Sequence, residues 1–221
     1  LQRIGEGYRR IRNTIRFLLG SVSDFDVATD ALDYDDLEDI DKWALSQLHK
    51  LTKRVRDAYD EYRFHVVYHS IYGFCVVDMS SFYLDILKDR LYTFAPDSRK
   101  RRSAQPARRE ILETLIRLLA PILVFTADEA WEHLPGGGRE ESVHLAALPE
   151  SNPDMIDDEL DYKWEQILAV RQEVSRALES ARNALSDLDD EQRFLAQRPG
   201  SPDQPTLDAA IAEVEAIDAR Q

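Results

Sequence analysis

The stretch YRRIRNTIRFLLG, residues 8–20, sets Arg9, Arg10, Arg12, Arg16 and the amide Asn13 among apolar residues. A guanidinium offers planar, bidentate donors that match a phosphate and can stack on a base. An amide can read an exposed base edge through hydrogen bonds. Arg rather than Lys fills all five basic positions of residues 1–22, beside a single Glu. This combination suggests RNA with splayed-out bases, whereas on periodicity alone the face carrying Arg9, Arg12, Asn13 and Arg16 reads as a solvated amphipathic surface. A second basic island lies at residues 99–109, where Arg99, Lys100, Arg101, Arg102, Arg108 and Arg109 occur with no acid. Arg99, Lys100, Arg101 and Arg102 are candidates for RNA backbone contacts, with a solvated helix start as the plain alternative.

Other chemistry has little support. Gly136–Gly138 follows a proline and precedes acids, so it reads as a turn and not a phosphate loop. His65 and His69 share one helical face at a spacing of four, but no third ligand is apparent and no metal is expected. Cys75 sits in a hydrophobic run and reads as core. Asp85 and Asp89 have Lys88 and Arg90 beside them, which points to ion pairs and not to acid–base catalysis. Phe82, Tyr83, Tyr92 and Phe94 read as core aromatics. No catalytic residue stands out, and no cofactor is expected in the chain itself.

The elements that position these residues follow from periodicity. Ile4, Tyr8, Ile11, Ile15, Leu18 and Val22 recur in steps of four and three, which stacks them into one stripe of a helix over about 3–22. Arg9, Asn13, Arg16 and Gly20 fall on the opposite side, with Arg12 at the edge. A second helix begins near Asp36, its acids placed where the macrodipole favours them. Residues 64–93 are apolar on most sides and read as a central helix or helix pair. A fourth helix opens at a cap offered by Asp97 or Ser98 and breaks or kinks at Pro121. Leu115, Leu118, Leu119 and Phe125 are expected to pack the Trp131 helix on the central segment. A fifth helix from about Asp157 carries Ile167, Val170, Val174 and Leu178 as its buried stripe. A linker-like AQRPGSPDQP and a short amphipathic stretch, TLDAAIAEVEAIDAR, follow. The sum is an all-α bundle of about five helices, without strands in residues 1–135.

The totals refine this picture. The 221 residues carry a formal charge of −14, which by itself argues against nucleic acid. Residues 1–135 hold 20 Lys+Arg against 22 Asp+Glu, whereas residues 136–221 hold 8 against 20. The acidity is therefore concentrated in the last third. One cysteine excludes an internal disulfide and a four-cysteine zinc site and makes a reducing, cytoplasmic setting the default. No run of about 18 apolar residues is evident, so no membrane partner is expected. The start at Leu1, without Met, suggests a piece of a longer protein.

Four stretches in order resemble the anticodon-binding domain of isoleucyl-tRNA synthetases: YRRIRNTIRFLLGSVSDFD, IDKWALSQLH, FYLDILKDRLYT and RRSAQ…LETLIRLLAPILVFTADEAWEHLP. KWEQILAVRQEVSRALESARN extends the similarity to about Asn183. Residues 184–221 do not follow the family's pattern, which divides the chain into a domain at 1–183 and an acidic tail at 184–221. The HIGH and KMSKS signatures of the family's ATP site are missing. The resemblance implies a tRNA-reading piece that holds the anticodon stem and loop of isoleucine tRNA. The catalytic domain of the same polypeptide, with ATP and Mg, would then charge the tRNA. The related valyl and leucyl domains share the fold, and an acidic helical module docking on proteins is the rival from a different class.

Overall fold

The computed structural model describes residues 2–95 and 98–196. Six helices account for most of them: α1 Gln2–Ser21, α2 Asp39–Asp60, α3 Phe64–Gly73, α4 Arg99–Leu119, α5 Val124–Glu132 and α6 Asp158–Ala196. No strand occurs among the described residues. The count exceeds the expected five because the chain turns through Ala120–Leu123 at Pro121 and separates α5 from α4. Proline cannot supply the ladder N–H there. Gly136 and Gly138 take φ of 96° and 80° in the turn after α5, a left-handed geometry that glycine adopts without a Cβ clash.

One compact unit runs to Trp164. Helix α2 packs on α3 and α4, and α1 on α4 and the α3 segment, around Leu18, Leu45, Leu48, Ile71, Met79, Ile111, Leu112 and Leu115, all fully or almost fully buried. The stripe on α1 is buried from Ile11 through Ile15 and Leu18 to Val22. Ile4 departs from it at 68% exposure. Ser98 caps α4 by accepting from the Arg101 N–H at 3.4 Å.

The central segment differs from a plain α-helix. From Phe74 to Tyr83 it winds as a π-helix and then returns to α geometry at Leu84–Ile86 and Lys88–Thr93. Hydroxyls follow the wider register: Ser80 donates to the Cys75 carbonyl at 2.8 Å and Ser81 to the Val76 carbonyl at 2.7 Å, each five residues back. Such insertions are a known cause of departures from the α ladder. Residues Phe64–Thr93 are long and apolar enough to cross a membrane by length and composition, with a best-window mean hydropathy of 1.3. That corrects the expectation that no such stretch exists. In the fold its Ile71, Phe74, Cys75, Met79, Phe82 and Tyr83 are buried, as in a helix enclosed by a core. Tyr92, 71% exposed, and Phe94, also exposed, are not core as expected, since the helix has left the bundle interior by that point. Burial pushes the Cys75 thiol up to about 12, which fits a packing role.

The core also holds charge. Asp41, in the first turn of α2, is fully buried. It accepts from the Tyr83 hydroxyl at 2.7 Å and the Ser103 hydroxyl at 2.8 Å, and Arg90 lies at 3.4 Å. Burial raises its carboxyl above the usual range, and these two hydrogen bonds, with Arg90 and Arg108, oppose the rise. Arg108 is itself 1% exposed.

The unit from Glu165 onward is described as far as Ala196, within α6. Its expected buried stripe of Ile167, Val170, Val174 and Leu178 is exposed. Periodicity had placed these residues on one face correctly, but no second helix of that unit lies among the described residues to cover it. The helix runs unbroken through position 183, and the amphipathic stretch at 206–220 lies outside the described residues.

Candidate nucleic-acid interface

Burying Ile11, Ile15 and Leu18 against the bundle turns the other side of α1 to solvent. Arg9, Arg10, Arg12, Asn13 and Arg16 are all exposed there. Arg10 is neutralised by Glu6 one turn back, at 3.0 Å. Arg9 donates from Nε to the Gly5 carbonyl at 3.2 Å, which leaves its terminal nitrogens available. Arg12 approaches Glu129 of α5 at 3.5 Å, an exposed pair that holds its side chain only weakly. Asn13 and Arg16 have no hydrogen-bond or ion-pair partner among the described residues.

Helix α5 completes this face. Between α1 and α5 lies a groove of about 190 Å³, lined by Arg12, Arg16, Leu19, Thr126, Glu129 and His133 among others. Tyr8 and Thr126 join the two helices through their hydroxyls at 3.0 Å. The groove thus has a mostly apolar lining, two guanidinium groups, of which that of Arg12 faces the Glu129 carboxylate, and an imidazole, with the unpartnered Asn13 amide next to Arg12 along the helix. It can receive a flat, anionic or hydrogen-bonding group. Thr126, Glu129 and His133 were not among the expected residues. They stand more than a hundred positions from α1 in sequence, and no local pattern marks them.

The second basic island is arranged differently. Arg99 pairs with Asp36 at 3.0 Å, Arg101 with Asp24 at 2.6 Å and Arg102 with Asp30 at 2.7 Å. Gln105 also donates to Asp24, at 2.7 Å. The Asp-rich link between α1 and α2 is thereby fastened along the first turns of α4. Lys100 is exposed. Farther along, Arg109 pairs with Glu113 at 3.0 Å and Arg108 lies in the core. The fold brings the four α1 residues onto one open face but binds three of the four α4 candidates to acids of the chain itself.

His65 and His69 are exposed on α3, and no group of three or more His, Cys, Asp or Glu placed to hold a metal occurs among the described residues. Asp85 pairs with Lys88 at 2.7 Å, as the local charges implied. Phe125, expected to pack α5 on the core, is instead 88% exposed. Ala127, Ala130 and Trp131 form the buried side of α5, and the turn at Pro121 sets the helix phase that turns Phe125 outward.

Comparison with known proteins places the chain among tRNA ligases. The chain is 50% identical over 183 residues to an isoleucine–tRNA ligase of Desulforudis audaxviator. It is 53% identical over 182 residues to that of Carboxydothermus hydrogenoformans and 52% over 182 residues to that of Geobacter sulfurreducens. Each alignment covers 82% of this chain and 20% of the relative, so the chain spans about a fifth of the length of the proteins it matches. The sequence pattern of the anticodon-binding domain of tRNA ligases matches residues 41–190, from the start of α2 into α6. With that match over most of its length, the chain belongs to the family of anticodon-binding domains of tRNA ligases.

Proposed function

We propose that this chain is the anticodon-binding part of an isoleucine–tRNA ligase and holds the anticodon stem and loop of isoleucine tRNA. The rest of the same polypeptide would carry the catalytic domain, which uses ATP and Mg to activate isoleucine, in the cytoplasm. The chain's own contribution is positioning. Phosphate contacts from Arg9 and Arg12 set the register of the RNA, and Asn13 and Arg16 discriminate unstacked bases. In this reading Arg99, Arg101 and Arg102 serve first to hold the link between α1 and α2, and Lys100 is the member of that cluster left for the RNA backbone.

The observation that carries the proposal is the exposed Asn13 and Arg16, unpartnered among the described residues beside the α1–α5 groove. The face belongs to an otherwise acidic chain whose family reads anticodons. The test is an anisotropy titration with isoleucine and valine tRNA transcripts over a range of salt. Isoleucine tRNA should bind more tightly, and its affinity should fall steeply as salt rises, as counterion release requires. Equal binding of both transcripts would reject the isoleucine assignment, and absence of binding at low salt would reject RNA recognition by this chain.

A further inference from the structure

Helix α6 carries an apolar row that no other helix of its unit covers among the described residues. Ile167, Val170, Val174, Leu178, Leu185 and Leu188 are 42–65% exposed, and Ala181 lies between them. Their steps of three and four average about 3.5 residues, the spacing that keeps a seam turned toward a partner helix. From Ile167 to Leu188 the row spans about 32 Å at 1.5 Å per residue. Single exposed apolar residues are ordinary, but a straight row of this length marks a face that something covers.

We propose that the stretch TLDAAIAEVEAIDAR, residues 206–220, forms a helix that lies antiparallel on this row and closes it as a helical hairpin. The inference goes beyond tRNA recognition and does not depend on it. Three observations select this occupant. Leu207, Ala210, Ile211, Val214 and Ile217 fall at i, i+3, i+4, i+7 and i+10, a matching apolar stripe. An isolated helix of about 15 residues is marginal in water, so that stripe needs a face to rest on. Secondly, the connection has the right reach. Residues 197–205 contain Pro199, Gly200, Pro202 and Pro205, which favour a turn. They span at most about 30 Å, enough to reverse the chain and set Leu207 alongside Leu185. A helix of about 22 Å then runs back to Val170. Thirdly, Arg171 and Arg182 stand three turns apart along one edge of the row, whereas the stretch is acidic, with Asp208, Glu213, Glu215 and Asp218 against Arg220. Opposite charges beside an apolar seam set partner and orientation. Tethering gives the stretch an effective concentration in the mM range, which favours it over a second copy of the chain. It lies beyond residues 41–190, which match the family's pattern, so the family match does not account for it.

The experiment is hydrogen exchange read by mass spectrometry on the 221-residue chain. Wild type is compared with Ile211→Asp/Val214→Asp in the stretch and with Val174→Asp/Leu178→Asp on α6. In the wild type, amides of 206–220 should exchange about tenfold or more slowly than in a free peptide of the same sequence. Either pair of substitutions should abolish that protection, and the first should also speed exchange of α6 between Val170 and Leu185. Val174 and Leu178 are exposed, so their replacement leaves the bundle core intact, and unchanged exchange of α1 to α5 verifies this. Amides of 206–220 that exchange like the free peptide would overturn the proposal. So would protection that survives Val174→Asp/Leu178→Asp, which places the stretch on another surface. Protection that grows with protein concentration, alongside a dimer in sedimentation, would overturn it in favour of a second copy.

Discussion

The two arginine clusters have nearly the same composition and opposite fates. On α1 the acids available to pair with arginine are Glu6, one turn away, and Glu129 across a groove, and both pairs are exposed. On α4, Asp24, Asp30 and Asp36 arrive from a link more than sixty residues earlier and pair with Arg101, Arg102 and Arg99, respectively, at 3.0 Å or less. Arg108 lies in the core near Asp41. A basic run in a sequence therefore reports charge but not availability. What decides is whether the fold delivers acids to the run, and an RNA phosphate can compete only where it does not.

The largest expected effect tests the structural half of that contrast. Asp41→Ala removes the buried acceptor of Tyr83 and Ser103 and leaves Arg90 and Arg108 without their acid. Breaking such a buried arrangement costs about 3–5 kcal/mol, read as a lowered midpoint in urea unfolding. A change below about 1 kcal/mol would mean that Arg90 and Arg108 do not depend on it.

Next comes the inner side of α1. Ile15→Ala opens a cavity under the arginine face and should cost about 2–5 kcal/mol of stability. Folded protein at low temperature should still bind tRNA, since the guanidinium groups lie on the opposite side. Loss of binding by fully folded Ile15→Ala protein would show that the face depends on the packing below it.

Arg16→Ala should do the reverse. Stability should stay within about ±0.5 kcal/mol, as for surface changes generally, while tRNA binding weakens by about 1–3 kcal/mol. Asn13→Ala sharpens the result: loss of a base contact should narrow the preference for isoleucine over valine tRNA and leave the salt slope unchanged. Wild-type binding by both variants would place the RNA elsewhere and reduce the α1 face to a solvated surface.

The smallest effect belongs to Arg99. Its pair with Asp36 is exposed on both sides, and such pairs contribute about 0–1 kcal/mol. Arg99→Ala should leave both the thermal midpoint and tRNA affinity almost unchanged. A loss of affinity as large as that of Arg16→Ala would erase the distinction between the clusters.

Much of the architecture follows from local pattern. The steps of three and four along α1, the cap at Ser98, the stop at Pro121 and the turn at Gly136–Gly138 each act within a few residues, where the ladder geometry and φ preferences operate. They determine the helices, their boundaries to within a few residues, and which side chains share a face. The separation of Arg9, Arg12, Asn13 and Arg16 from Ile11, Ile15 and Leu18 belongs to this class.

What covers a face is another matter. Ile4 and the α6 stripe obey the same periodicity as the core, yet they are exposed, because periodicity aligns residues without supplying a partner, and Phe125 is exposed because the turn at Pro121 resets the helix phase. The π-helix at Phe74–Tyr83 depends on hydroxyls entering a ladder whose α and π forms share one apolar pattern. The groove between α1 and α5, the pairing of Asp24, Asp30 and Asp36 with α4, and the burial of Asp41 join residues from about 40 to more than 100 positions apart. A charge, unlike an apolar stripe, leaves no periodic trace of the partner it will meet. Packing alone brings the two within reach, and so tertiary structure decided which arginines remain free.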